Sequence, residues 1–353
     1  MTPFRHALIV LGLTLIGLPL LGSRDLGAAP REKPPRIRLL FWHDSEVDRI
    51  AADGFKRGLA IAGLSGDVEE FHVRYEPGKP TAAEREKERA RAEAAARAKL
   101  RGWRDSGSVD LVVALGTRAA LFAAEEIKDI PVLFTAVTHP PASGLTPETR
   151  FGPTRRNLAG NSNWIGSGRV IEVFRRAVPG LARLGVVSSP DNPVSRAEIE
   201  EARRVLKRDG IPVTLVHREA RTPEELSRAC AALVGEIDAL WIPIDDLCYR
   251  NIPLVRKALG KSNLPILSSA RQAAANGALV SLVCDYELLG LSAADIARRV
   301  LVKGEKPGTI PIGRLHSLDL LVNLDAAGKR LPPELVAAAD LIVRTGDRKE
   351  SER

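Results

Sequence analysis

The stretch that decides the fold is "VDLVVALGTRAALFAAEEIKDIPVLFTAV", residues 109–137. Two short apolar runs flank an Ala-rich segment, and Gly116-Thr117 stands where the first run stops. Apolar runs of strand length separated by a helical segment are the pattern of a βαβ unit, which places its strands in parallel. Glycine gives the backbone room to turn out of a strand, and threonine fits the N-cap of "RAALFAAEE". A helix start so placed offers unpaired N–H groups and a positive dipole end, which suit a carboxylate. The same residues also serve a helix that caps only itself. Arg118 adds to the first reading, because a cation in a helix's first turn opposes the dipole unless an anion is near.

Working outward, the alternation recurs. "IRLLFW" (37–42), "VDRIAADGFKRGLAIAG" (47–63) and "VEEFHVRY" (68–75) precede the quoted stretch. A charged segment, "TAAEREKERARAEAAARAKLRGW" (81–103), reads as a solvated helix with opposite charges three apart at Glu84/Lys87, Glu86/Arg89 and Glu88/Arg91. The rhythm pauses between Thr138 and Ile165 in a segment rich in proline and glycine, where a domain crossing is expected. It resumes with "RLGVVSS" (183–189), "IPVTLVH" (211–217) and "DALWIPI" (238–244), each followed by a helical segment, and then "LPILSS" (264–269). "GALVSLV" (277–283), a helix from Tyr286 to about Val302, and "PIGRLHSLDLLVN" (311–323), read as one long strand region, complete the pattern. The expected class is α/β, with two lobes of mostly parallel sheet. A cleft between such lobes is lined by loops at the carboxyl ends of strands, where open parallel sheets bind ligands.

The 353 residues suffice for two domains, and 52 basic against 44 acidic residues leave a thinly spread net charge of +8. No basic stripe marks a nucleic-acid surface, so no nucleic acid is expected as partner. Arg5 and His6 precede an apolar run from Ala7 to Leu21, and Gly27-Ala28-Ala29 follows, which is the pattern of a signal peptide over 1–28. A retained N-terminal anchor is the lesser reading, since the run falls short of the ~20 residues that span a bilayer. Export leads to an oxidising compartment, where the chain's 3 cysteines leave one over. Cys230 reads as a small buried hydrophobe, while Cys248 and Cys284 pair only if the fold brings them together. Dinucleotide, phosphate-loop, metalloprotease and hydrolase motifs are absent, so no catalytic residue, cofactor or metal site is expected.

Polar residues recur at predicted strand ends in both lobes: Asp44 and Ser45 after the first strand, Gly116, Thr117 and Arg118, then Thr138 and His139, Asn192, and the pair Asp245 and Asp246. The acidic pair can accept an ammonium group or cap the next helix. Trp164 lies in the crossing, and Tyr286 follows the strand expected to return to the first lobe. In a chain with 4% aromatic residues these two are candidates for closing over a ligand, or for core filling.

The blocks "GFKRGLAIAG" (54–63), "DLVVALGTRAA" (110–120), "DIPVLFTAVTHPPASGL" (129–145), "NLAGNSNW" (157–164), "LGVVSSPDNPVS" (184–195), "DALWIPIDD" (238–246) and the run 277–312 occur in an order and spacing that resemble one family. It is the substrate-binding proteins of ABC transporters of the tryptophan/tyrosine uptake type, which look like type I periplasmic-binding proteins. The resemblance implies two Rossmann-like lobes joined by three crossings, an extracytoplasmic location, a small-molecule ligand between the lobes and an ABC permease as membrane partner. A sensor that signals ligand occupancy to a membrane kinase or cyclase is the alternative use of the same lobes. Lobe I is expected at 36–162 with 277–317 and lobe II at 163–276 with 318–345, after a linker at 29–35 and before a disordered tail at 346–353. Thr117, Asn192, Asp245, Asp246 and Tyr286 match the family's ligand positions. His139 stands where the family has Asp, Asp246 where it has Asn, and Arg118 where it has a small or neutral residue. These departures point away from a plain aromatic amino acid and towards a ligand with more than one charged group.

Overall fold

The computed structural model describes residues 33–42, 45–74, 81–147, 151–327 and 331–345. The expected signal peptide, the tail and Asp44 lie outside the described residues.

In chain order, the first lobe runs β1 (Arg36–Phe41), α1 (Glu46–Ile61), β2 (Asp67–His72), α2 (Ala82–Asp105), β3 (Leu111–Leu115), α3 (Thr117–Glu126), β4 (Val132–Val137) and β5 (Leu158–Ser162). The second continues α4 (Ser167–Ala177), β6 (Arg183–Ser188), α5 (Pro193–Arg208), β7 (Thr214–Glu219), α6 (Pro223–Ala232), β8 (Ala239–Ile242), α7 (Asp246–Arg250), α8 (Ile252–Leu259), β9 (Ile266–Ser268), α9 (Arg271–Ala275) and β10 (Val280–Cys284). Then come α10 (Tyr286–Leu301), β11 (Gly313–Arg314), β12 (Leu318–Asn323) and β13 (Leu341–Val343). The first sheet has the order β11-β5-β4-β3-β1-β2 and the second β13-β12-β10-β9-β8-β6-β7. Every pairing is parallel except β10 with β12.

The quoted stretch is β3-α3-β4. All residues of β3 and β4 are buried, as in a sheet covered by helices on both faces. On one side α1 packs against α10 at glycine contacts: a Cβ on Gly290 would lie 2.0 Å from the carbonyl oxygen of Ala51 and 2.6 Å from the nitrogen of Phe55. The charged helix α2 starts in a capping box between Thr81 and Glu84, and Glu88 pairs with Arg91 at 2.6 Å.

Among the described residues the chain passes between the sheets three times, at 163–166, at Asp285 and at 315–317. The middle passage corrects the expected boundary at 277. Strand β10 lies in the second sheet, between β9 and β12, and α10 is the element that returns to lobe I against α1. A strand buried along its whole length, as β10 is, reads alike in either sheet, so its sequence does not name its neighbours. The final strand region is likewise two strands, β11 in the first sheet and β12 in the second. All three cysteines are free and buried, so Cys248 and Cys284 do not pair. The Cys248 thiol instead donates to the carbonyl of Val187 at 3.2 Å.

Candidate functional site: the cleft between the lobes

A cleft of about 1120 Å³ opens between the lobes at the carboxyl ends of their strands. Its lobe I wall starts at Thr117, just after Gly116, which does not itself line the cleft but whose φ of +82° turns the chain out of β3. That left-handed conformation suits glycine, and a Cβ there would also meet the Asp48 carboxylate at 3.5 Å. Gly116 is itself the N-cap, so Thr117 is the first helical residue of α3, not its cap, and no side chain caps the helix. The first N–H groups of α3 therefore keep their capacity for an outside acceptor. Thr117 lines the cleft, with Thr138 and Ser143 from the loop after β4. The Ser143 hydroxyl is shielded and has no hydrogen-bond partner among the described residues. Arg118 also lines the cleft, but its guanidinium is committed: it pairs with Glu93 of α2 at 3.0 Å and lies 5.4 Å over the Trp42 ring.

On the lobe II wall the two adjacent acids divide. Asp245 is 1% exposed and is the N-cap of α7. Its carboxylate accepts from the backbone of Ser189 (2.9 Å) and Leu247 (3.1 Å) and from the Ser195 hydroxyl (3.0 Å). Burial nonetheless holds its pKa above the usual aspartate value. Asp246 turns the other way, exposed in the cleft, and accepts a hydrogen bond from the Tyr249 hydroxyl. Asn192 lines the cleft while serving as N-cap of α5, its Oδ1 accepting from Val194 (2.9 Å) and Ser195 (3.2 Å). Behind this wall, the buried Glu198 accepts from the backbone N–H of Ile244 at 2.9 Å and from the Ser269 hydroxyl.

Four expected residues lie elsewhere. Ser45 caps α1 and donates to Asp48 at 2.6 Å. His139 and Trp164 line a second gap of about 600 Å³, and their rings meet edge to face at 4.4 Å. The Trp164 indole donates to Glu201 at 3.1 Å, His139 Nδ1 accepts from Ala142 at 3.0 Å, and burial pushes the His139 pKa down. Tyr286 packs on the lobe I core, with its hydroxyl accepting from Asn163 at 2.9 Å. Sequence reasoning missed Tyr249 and Ser143. Tyr249 had a usable signal, since it stands three residues after Asp246, the spacing that puts two side chains on one helix face.

The cleft thus offers N–H and hydroxyl donors on one wall and a carboxylate on the other, with apolar lining from Leu121, Val194 and Leu247 and the charged Arg89, Lys128, Arg156 and Asp191 also bordering it. Among the described residues no group of His, Cys, Asp or Glu could hold a metal, and no helix is long and apolar enough to cross a membrane.

Two α/β lobes with such a cleft define a two-domain solute-binding protein. The sequence profile of the ABC transporter substrate binding protein family matches residues 50–339, and the chain belongs to that family. A tyrosine-binding protein of Clostridioides difficile (strain R20291) is 30% identical over 220 residues, which span 62% of this chain and 62% of that relative. Among solved structures, an ABC domain from Streptococcus pneumonia in complex with L-Trp superposes with a TM-score of 0.69 at 21% identity, covering 88% of this chain and all of the other. A ligand-free, open substrate binding protein with adhesive properties from Clostridium difficile gives 0.71 at 22%, covering 88% and 99%. At these identities the structural likeness concerns the fold.

Proposed function

We propose that this chain is an exported receptor that captures an α-amino acid with an aromatic side chain, closes its lobes over it and delivers it to an ABC permease. The observation that carries the reading is the opposition of the α3 start, with Thr117, to Asp246 across the cleft. An α-amino acid presents a carboxylate and an ammonium on one carbon, which match a donor wall and an acceptor wall. Leu121, Val194 and Leu247 supply apolar lining for a side chain. The charges that argued otherwise have other employment: Arg118 is paired with Glu93, and His139 lines the second gap. The relatives that bind tyrosine and tryptophan support the same class of ligand.

At about 1120 Å³ the cleft exceeds the ~300–1000 Å³ of pockets that enclose small ligands, in keeping with an open form. Ligand contacts to both walls then favour the closed form over the open one. The test is calorimetry on protein stripped of co-purified ligand by unfolding and refolding. Saturable one-site binding of L-tyrosine or L-tryptophan, with alanine, aspartate and lysine weaker, supports the proposal. Binding of a dicarboxylate or a diamine in preference to the aromatic amino acids refutes it.

A further inference from the structure

The second gap holds charges that the ligand cleft does not use. Arg314 lies on β11, the end strand of the first sheet, with its guanidinium 4.7 Å over the Phe151 ring. It is exposed and makes no ion pair among the described residues. Across the gap, α5 presents Ala197, Glu200, Glu201 and Arg204, whose spacing of three, four and seven residues puts them on one helix face. Glu201 is already tied to the hinge, accepting from the Trp164 indole (3.1 Å), the Ser167 hydroxyl (3.3 Å) and the Ser167 N–H (3.4 Å). Glu200 is exposed and has no partner among the described residues. An unpaired cation on lobe I and an unpaired carboxylate on lobe II thus face one gap of about 600 Å³.

We propose that Arg314 and Glu200 form a latch, an ion pair made only when the lobes close, which stabilises the liganded state. The inference rests on the closing movement of the proposed function. Its two halves are placed for the role. Stacking on Phe151 restricts the Arg314 side chain before the partner arrives, which lowers the entropy cost of pairing. Glu200 sits on a helix of lobe II that Glu201 and Trp164 hold against the hinge. Arg204, one turn further along α5, stands four residues from Glu200 and is the cation with which Arg314 competes for it.

The test is a double-mutant cycle of Arg314→Glu, Glu200→Arg and both together, read as affinity for L-tyrosine and L-tryptophan and as unliganded melting temperature. Each single reversal is expected to weaken binding about twofold to fivefold, the range of exposed ion pairs, and the double reversal to recover most of it. The recovery should fade at about 1 M salt, and the shifts of the unliganded melting temperature should add across the set, with no recovery in the double reversal. Additive losses of affinity, or a recovery of the unliganded melting temperature in the double reversal, overturn the latch. A second variant carries Arg314→Cys and Glu200→Cys together and needs no known ligand, since the native cysteines are buried. An Arg–Glu ion pair holds its Cα atoms farther apart than the about 7 Å a disulfide allows, so the two thiols are joined by a short bismaleimide instead. Cross-linking within one chain supports the latch even if neither amino acid binds, which would refute only the ligand assignment. Failure to cross-link, with both thiols reactive towards a monofunctional maleimide, overturns the latch.

Discussion

Replacing Glu198 by Gln should change how folding stability depends on pH. Glu198 is 1% exposed, and burial raises its pKa from 4.5 to about 7. The protonated form suits the site, and the neighbouring Glu201 and Asp245 charges push the same way. A carboxyl whose folded pKa lies above its unfolded value contributes stability that is fully present below the unfolded pKa and is lost as pH rises through the folded one. Each pH unit of displacement is worth about 1.4 kcal/mol, so about 3 kcal/mol is at stake, most of it between pH 5 and pH 8. Gln keeps both hydrogen bonds, accepting from Ile244 N–H and donating to the Ser269 hydroxyl, but does not titrate. Urea unfolding of both proteins at pH 5, 6, 7 and 8, followed by tryptophan fluorescence, isolates the group. His139 and His217, whose pKa values burial lowers, act with the opposite sign but equally in both proteins. The stability of Glu198→Gln relative to the parent should therefore rise by about 2–3 kcal/mol from pH 5 to pH 8. Parallel pH profiles would refute the reasoning.

Gly290→Ala should destabilise the protein by about 3 kcal/mol, since its Cβ meets backbone of α1 and not a flexible side chain, and urea midpoints check this. Thr117→Val should leave stability within about 0.5 kcal/mol, because Thr117 is not a cap, but should weaken amino-acid binding about tenfold. A lowered melting temperature with unchanged affinity would contradict it. The acidic pair should separate cleanly: Asp245→Ala costs about 3 kcal/mol of stability by stranding three donors, whereas Asp246→Asn leaves stability intact and weakens ligand about tenfold. Calorimetry and thermal melts on the two variants read both effects.

The sheets were legible because βαβ alternation is a local signal, and residues 109–137 carry it without ambiguity. What the sequence left unread depends on partners far along the chain. Asp245 and Asp246 are equivalent as letters, and only Ser189 and Ser195, 56 and 50 residues away, decide which one turns inward. Thr117 looked like a cap because threonine is a good one, but the left-handed φ of Gly116 places the glycine at that position. His139 follows Thr138 directly, yet the two residues serve different spaces on either side of one loop. Strand β10 is buried throughout, so nothing in its pattern assigned it to a sheet.

Closure of the lobes over an aromatic amino acid is read out by small-angle X-ray scattering of ligand-stripped protein during titration with L-tyrosine and L-tryptophan. A saturable decrease in the radius of gyration is expected, with the same midpoint as calorimetric binding and with that midpoint moved about tenfold higher in Thr117→Val. An unchanged radius at saturating ligand would contradict it.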